Sequence, residues 1–105
     1  MHFAIQCVLA KNIDDQRLAL RSTHLRYLEA NKHHIFCGGP IVDSEGQPEM
    51  MLIILDVLDQ PSAESFIDAE PYNRSGLFTQ VTIREWRQVL PEVKPGALLD
   101  EIDRT

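Results

Sequence analysis

The first candidate for chemistry is a histidine in the middle of a predicted helix. His24 lies in the segment RLALRSTHLRYL, residues 17–28, four residues after Leu20 and three before Tyr27. At this spacing the three side chains share one face of a helix, and Arg21 lies one turn before His24. A histidine beside apolar side chains is the usual general acid or base of an enzyme. The pattern indicates proton transfer at His24, with Arg21 holding an anionic oxygen of the ligand.

A histidine in this role needs a group that fixes the position of its ring proton, and a carboxylate commonly does so. The segment FIDAEPYNRSGL, residues 66–77, contains Asp68 and Glu70. A helix is expected to end at Pro71, which frees the Glu70 side chain from the helical face. We therefore predict a hydrogen bond, direct or through one water, between the His24 ring and the Glu70 carboxylate, with Asp68 as the alternative partner.

A structural role for His24 is the competing interpretation, since a histidine on an apolar helical face is more often a satisfied core or rim residue than a catalyst. The other chemical signatures are weak. The chain has no HExxH segment and no three-ligand cluster, and Gly38-Gly39 lacks the lysine or third glycine of a phosphate loop. Cys7 and Cys37 lie in strand-like runs, where cysteine behaves as a small hydrophobe. No metal and no cofactor are predicted.

Composition places the chain among ordinary globular domains and argues against two kinds of partner. Of its 105 residues, 44% are hydrophobic and 25% are charged, which suits one domain with one modest core. The formal net charge of −6 argues against a nucleic-acid partner. No apolar run approaches the roughly 20 residues that cross a bilayer, so no membrane partner is expected. The first residues lack the features of a signal peptide, so a cytoplasmic protein is the default expectation.

The elements that must position His24 and Glu70 follow from hydrophobic periodicity and turn residues. Asn12 is the expected cap of the first helix, in which Leu18, Leu25 and Leu28 also recur at helical spacing. The third strand, MMLIILDV, is the most apolar run and is expected to be central. The predicted order is strand 2–9, helix 13–32, strand 34–42, strand 50–57, helix 61–69, a short helical turn after Pro71, and strand 78–87.

This βαββαβ order is that of the ferredoxin-like fold, an α+β fold with a four-stranded antiparallel sheet and helices on one face. A chain of this length has nothing left to cover the opposite face, so we expect a homodimer through it. Residues 1–91 form the predicted domain. Residues 92–105 form a tail with a weak final helical turn, expected to lie near the partner.

A glycine pair followed by proline, Gly38-Gly39-Pro40, interrupts the second strand. Glycine weakens a strand and proline cannot donate to a central ladder, so a kink or bulge is expected there. We expect this kink to border the ligand pocket, with Gly39 and Pro40 in its wall, and Gly39 to tolerate no large side chain. Tyr72 and the apolar strand residues are expected to complete the walls.

Three short motifs in order resemble the YCII family: R-x-x-H-L at 21–25, G-G-P at 38–40, and E-P-Y followed by G-L at 70–77. The resemblance runs from about residue 2 to about residue 90. That family is similar in fold to dimeric α+β barrel proteins, which include muconolactone isomerase-like enzymes. The resemblance implies a dimer with a pocket between sheet and helices that holds a histidine–aspartate pair.

The family histidine corresponds to His24, and the arginine before it to Arg21. The family usually has aspartate before Pro-Tyr, whereas this chain has Glu70, whose carboxylate is one methylene further from the backbone. Two outcomes are open at this point: Glu70 reaches His24 with a shifted backbone, or the pair is loosened.

Two functions of different classes follow from these observations. The first is a cofactor-free lyase or isomerase that acts on a small organic molecule, since a few members of the family resemble lyases that eliminate HCl from chlorinated aromatic compounds. The second is a non-catalytic dimeric module that binds a small ligand or serves as a fused or stand-alone partner domain, because fold alone does not fix function.

Overall fold

The chain forms four strands and four α-helices, and the βαββαβ order is the predicted one. The computed structural model describes residues 1–105. Each observed end of a strand or long helix lies within two residues of the predicted end, and a short 3-10 turn, Lys32–His34, joins the first helix to the second strand. The elements are β1 His2–Leu9, α1 Asp14–Asn31, β2 Ile35–Val42, β3 Pro48–Asp56, α2 Gln60–Asp68, α3 Pro71–Arg74, β4 Phe78–Trp86 and α4 Ala97–Arg104.

The four strands form one antiparallel sheet in the order β2-β3-β1-β4. The apolar strand β3 is central, as predicted, and its partner β1 is the other central strand. Ile5 pairs with Ile53 of β3 on one side and with Ile83 of β4 on the other. This antiparallel arrangement with its helices is the ferredoxin-like α+β fold, so the predicted fold class is confirmed.

The core lies between one face of the sheet and helix α2. Because side chains alternate across a strand, β1 and β3 each contribute every second residue to this face. The core consists of Phe3, Ile5, Cys7, Met51, Ile53 and Leu55 from the sheet with Ala63, Phe66 and Ile67 from α2. Only 14 of the 105 residues are buried, so much apolar surface stays uncovered in the single chain.

Helix α1 covers the same face of the sheet, but the predicted cap residue, Asn12, does not cap it. Its N-cap is Ile13 and no side chain caps it, whereas Asn12 lies before it in a left-handed conformation with φ 60°. Leu18 and Leu25, which recur at helical spacing, are exposed, and the one buried residue of the helix is His24. Leu25 and Leu28 line a cavity beside the sheet, whereas Leu18 does not.

Strand β2 is an edge strand, which explains how it accommodates Pro40. The register shifts fall between Ile35 and Cys37 and between Ile41 and Val42, on either side of the glycine pair and not within it. The expectation for Gly39 is also wrong. A Cβ atom at Gly39 would meet nothing within 4 Å, whereas one at Gly38 would lie 2.9 Å from the Leu52 carbonyl oxygen. Gly38 is therefore the position where β2 approaches β3 too closely for a side chain.

We expect Gly38→Ala to lower the free energy of unfolding by about 2 kcal/mol, because the added methyl group meets backbone that cannot move without disturbing the ladder. Gly39→Ala is the matched control: its Cβ meets nothing within the chain, so at a protein concentration low enough to dissociate a dimer it should change the stability by less than about 0.5 kcal/mol. Urea denaturation followed by the fluorescence of the single tryptophan, Trp86, measures both. Equal losses in the two variants would contradict the assignment of the close contact to Gly38.

The tail that follows β4 stands away from the rest of the chain. Its hydrogen bonds are internal, such as Leu98 N–H to Glu92 Oε2 at 2.9 Å and Asp100 N–H to the Gly96 carbonyl at 3.0 Å. The radius of gyration is 15.9 Å, against roughly 13 Å for a compact chain of this length. None of the helices combines the length and the apolar character needed to cross a membrane.

Candidate active site

Glu70 is the fully buried carboxylate of the molecule, with 0% of the residue exposed. It lies between α2 and α3 and is the N-cap residue of α3, with an extended backbone at φ −67° and ψ 129°. One carboxylate oxygen, Oε2, accepts the backbone N–H of Asn73 at 3.0 Å. The other, Oε1, is hydrogen-bonded to Nδ1 of His24. Pro71 at the first helical position thus sets a backbone that turns the Glu70 side chain inward.

The hydrogen bond predicted between His24 and Glu70 is present, and it joins the middle of α1 to the start of α3. With Glu70 ionised, Nδ1 is the donor and carries the proton, because an ionised carboxylate only accepts hydrogen bonds. The alternative partner, Asp68, is exposed and has no contact with the ring. The longer glutamate side chain therefore reaches His24 directly, which resolves the two outcomes left open by the sequence.

The second ring nitrogen of His24, Nε2, has no hydrogen-bond partner in the protein. No buried side-chain nitrogen or oxygen of the chain lacks a partner, so Nε2 must reach accessible space. His24 lines a cavity, and its side chain is only 10% exposed. Nε2 therefore opens into this cavity, while Nδ1 is fixed on the protein side.

Tyr72 of α3 holds the His24 ring in place by stacking on it. The two ring centroids are 4.0 Å apart and the ring planes are within 9° of parallel. The Tyr72 hydroxyl donates to the backbone carbonyl of Arg17 at 3.3 Å, which ties α3 to the first turn of α1. Burial raises the pKa of the Tyr72 hydroxyl, against the opposing charges of Arg17 and Arg21. The phenol therefore stays neutral and acts as a positioning group.

The cavity has a volume of about 670 Å³ and lies between α1, strand β2 and the near ends of β1 and β3. This volume is typical of small-molecule sites. The predicted ligand-contacting residues, Arg21, Gly39, Pro40 and Tyr72, all line it together with His24. Their roles toward a ligand remain predictions. The structure adds the apolar Met50, Met51 and Ile53 of β3 to the wall.

Sequence reasoning did not single out Arg17 as a site residue, although it precedes Arg21 by one helical turn on the same face. This spacing of one helical turn is the feature of the sequence from which Arg17 could have been identified. Elsewhere, the structure brings together no group of three histidine, cysteine, aspartate or glutamate side chains that could hold a metal ion.

The two cysteines differ sharply in their surroundings. Cys7 is fully buried in the core, and burial, reinforced by the nearby Glu70 carboxylate, raises the pKa of its thiol to about 12. Cys37 is exposed on the edge strand β2. The thiolate is the reactive form of cysteine, so the native protein should offer one reactive thiol.

We expect a thiol reagent such as iodoacetamide at pH 8.5 to leave Cys7 unlabelled until the protein is unfolded. It should label Cys37 in the monomer, since Cys37 lies opposite Ile54 on the open face of the sheet. Between pH 9 and about 12 the unfolded state releases the Cys7 proton and the native state retains it, so stability falls as the pH rises. Peptide mass spectrometry of native and urea-unfolded samples locates the label. Rapid labelling of Cys7 in the native protein would contradict the burial of this thiol beside Glu70.

Comparison with known proteins gives one family model and several solved structures. A family model described as "YCII-related domain" matches residues 1–87. The chain is similar to the structure of 5-chloro-2-hydroxyhydroquinone dehydrochlorinase (TftG) from Burkholderia phenoliruptrix AC1100, in complex with 2,5-dihydroxybenzoquinone. The TM-score is 0.78 at 24% sequence identity, over 84% of this chain and 95% of that one. At this identity the likeness shows the fold.

The second structure is that of a proposed antibiotic biosynthesis monooxygenase from Bacteriodes thetaiotaomicron VPI-5482. It matches with a TM-score of 0.48 and 14% identity, over 90% of this chain and 93% of that one. No curated protein matches the sequence.

Proposed function

The chain belongs to the family of YCII-related domains, and from this premise we propose that it is a lyase or isomerase that moves protons on a small organic molecule. One observation carries the proposal. A buried carboxylate, Glu70, holds Nδ1 of His24, while Nε2 of the same ring opens into an apolar cavity. A histidine oriented by a carboxylate and open on its other nitrogen is the arrangement of a general acid or base.

In the proposed reaction, Nε2 of His24 removes a proton from a carbon atom next to a carbonyl group of the substrate. The electron pair of the broken C–H bond moves into the substrate and leaves an oxyanion, which Arg21 stabilises. In a lyase the pair then forms a double bond as a leaving group departs with its own electron pair. In an isomerase His24 returns the proton to a different carbon.

The surroundings of His24 lower the cost of this step. When Nε2 takes a proton the ring becomes a cation, and the adjacent Glu70 carboxylate compensates its charge. The second oxygen of Glu70 is held by the Asn73 N–H, and Tyr72 fixes the plane of the ring. The protein's own groups therefore fix this geometry, which is the condition for effective electrostatic stabilisation.

The dehydrochlorinase of similar fold supports this reaction class. Elimination of HCl removes a proton and a chloride from neighbouring positions, so it needs a base and no net redox change. The ligand named in that structure, 2,5-dihydroxybenzoquinone, is a small hydroxylated ring, and a molecule of this size fits a cavity of about 670 Å³.

The test is a screen of hydroxylated and lactone-type aromatic compounds, incubated with the protein in D₂O and followed by proton NMR. A base that removes a carbon-bound proton exchanges it with solvent, so at least one compound should lose a C–H signal or be converted. Compounds that bind, by ligand-observed NMR, yet neither exchange nor react would overturn the enzyme and favour the binding module.

We further propose that the protein is a homodimer through the open face of the sheet, the face opposite the core. Apolar and aromatic side chains lie on it, and His2 packs between Phe36 and Trp86 with ring centroids 4.8 and 5.6 Å away. Leu52 and Ala4 belong to the same face by strand alternation. An uncovered sheet face of this kind is a large apolar patch for a lone chain, and the tail from residue 92 is free to lie against the partner.

We expect Leu52→Arg to convert the dimer into a monomer, because it places a charge at the centre of the proposed interface. Leu58→Arg is the control, since Leu58 is 82% exposed and lies beyond the end of β3. Light scattering at micromolar concentration measures the mass of each variant. A monomeric wild-type protein would contradict the proposed assembly.

A further inference from the structure

The cavity contains a pair of cations of which the acid–base step uses only one. Arg17 and Arg21 lie one turn apart on α1, and His24 follows on the next turn. Arg21 has a proposed role at the oxyanion, whereas Arg17 has none. The single ion pair of these two arginines joins Arg17 to Asp14 at 3.8 Å, and the Asp14 side chain is 76% exposed. A long, solvated pair of this kind neutralises little of the arginine's charge.

Arg17 is nevertheless largely covered, with only 16% of its side chain exposed. It lines the cavity and lies beside Tyr72, whose hydroxyl donates to its backbone carbonyl. Both arginines act on the pKa of that hydroxyl, which indicates that their charges converge near it. A partly buried guanidinium group whose one carboxylate partner is distant and solvated is a ready partner for an anion.

The other charges of the cavity are neutralised within the protein. At the far end, Lys32 pairs with Glu29 at 2.7 Å. Near the ring, Glu70 is held by His24 and by a backbone N–H. The unbalanced charge of the cavity is therefore positive and concentrated at Arg17 and Arg21, in a chain whose formal net charge is −6.

We propose that Arg17 and Arg21 form a binding subsite for the carboxylate or ionised hydroxyl of a cyclic organic acid. The inference rests on the proposed function, since it names the substrate class of the same site. Along the axis of α1, Arg21 lies about 4.5 Å and Arg17 about 10 Å from His24. The apolar wall of Met50, Met51 and Ile53 accommodates the ring itself.

The test compares two probes of the same shape and different charge, benzoate and benzamide, by isothermal titration calorimetry. We expect benzoate to bind at least tenfold more tightly than benzamide. Arg17→Gln should weaken benzoate at least fivefold and leave benzamide unchanged, and Arg17→Lys should restore part of the loss. Arg26→Gln is the control, because Arg26 is an exposed residue of α1 outside the cavity.

Three results would overturn the subsite: equal affinity for the two probes, an Arg17→Gln variant that binds benzoate as the wild type does, or inorganic phosphate that competes as well as benzoate. The binding test of the subsite and the turnover test of the proposed function can succeed or fail independently. His24→Gln should retain the preference for benzoate, so selective binding without turnover in the wild type leaves the subsite standing and removes the enzyme. Turnover of neutral lactones by a protein that does not bind benzoate would support the enzyme and remove the subsite.

Discussion

Glu70→Ala should lower the free energy of unfolding by about 3 kcal/mol, one of the two largest effects expected of any single substitution in this chain. The change removes both acceptors of a fully buried carboxylate. It leaves the Nδ1–H of His24 and the N–H of Asn73 without partners, and it opens space between α1 and α3. Chemical denaturation at one fixed protein concentration, followed by Trp86 fluorescence, gives the difference.

Asp68→Ala is the matched control, because Asp68 is an exposed carboxylate two residues away at the end of α2. It should change stability by less than about 0.5 kcal/mol. Glu70→Gln should fall between the two, since the amide keeps an acceptor and the shape but loses the charge, and it should weaken any turnover. A Glu70→Ala variant as stable as Asp68→Ala would show that the buried carboxylate contributes nothing to the fold.

His24→Gln should reduce turnover or C–H exchange of any substrate found in the D₂O screen by at least a hundredfold, the usual contribution of a positioned acid or base. Glutamine is similar in length and can donate to Glu70, so the fold should be retained, but it has no nitrogen that takes up a proton near neutral pH. Rates measured by NMR at saturating substrate report the effect on the chemical step itself.

His33→Gln provides the comparison, because His33 is exposed in the turn after α1 and does not line the cavity. Its rate should equal that of the wild type. Should His24→Gln keep more than about a tenth of the wild-type rate, with an unchanged circular dichroism spectrum, His24 would be a structural residue and a different group would carry the proton.

Most of the fold is predictable from sequence because its signals are local. The strand His2–Leu9 and the helix that begins after Asp59 follow from alternation, from a proline in the first turn and from a capping aspartate. Asp59 accepts the Ser62 N–H at 2.9 Å, which is ordinary N-cap chemistry. The order of these elements then leaves few possible topologies.

The failures of sequence reasoning share a different cause, since each depends on what lies opposite a residue in space. Helical spacing placed Leu18 and Leu25 on one side of α1 but does not tell which side meets the core, and in the structure both are exposed whereas His24 is buried. The glycine pair indicated a close approach without telling which glycine makes it, and only the pairing with Leu52 assigns it to Gly38.

The candidate site was partly predictable, because the predicted topology limits which residues can meet. His24 and Glu70 could be paired from sequence because both helices cover one face of the sheet. The stacking of Tyr72 on His24 and the burial of Arg17 depend on the close packing of α3 against the start of α1, which no short motif encodes.

The most direct measurement of the central claim is the nitrogen-15 NMR spectrum of the His24 ring, assigned by its disappearance in His24→Gln. In the neutral ring we expect a proton on Nδ1, donated to Glu70, and no proton on Nε2. The Nε2 resonance should move when a cavity ligand such as benzoate is added. A proton on Nε2 with Nδ1 unprotonated, or an Nε2 resonance indifferent to every ligand that binds, would contradict a base held by Glu70 and open to the cavity.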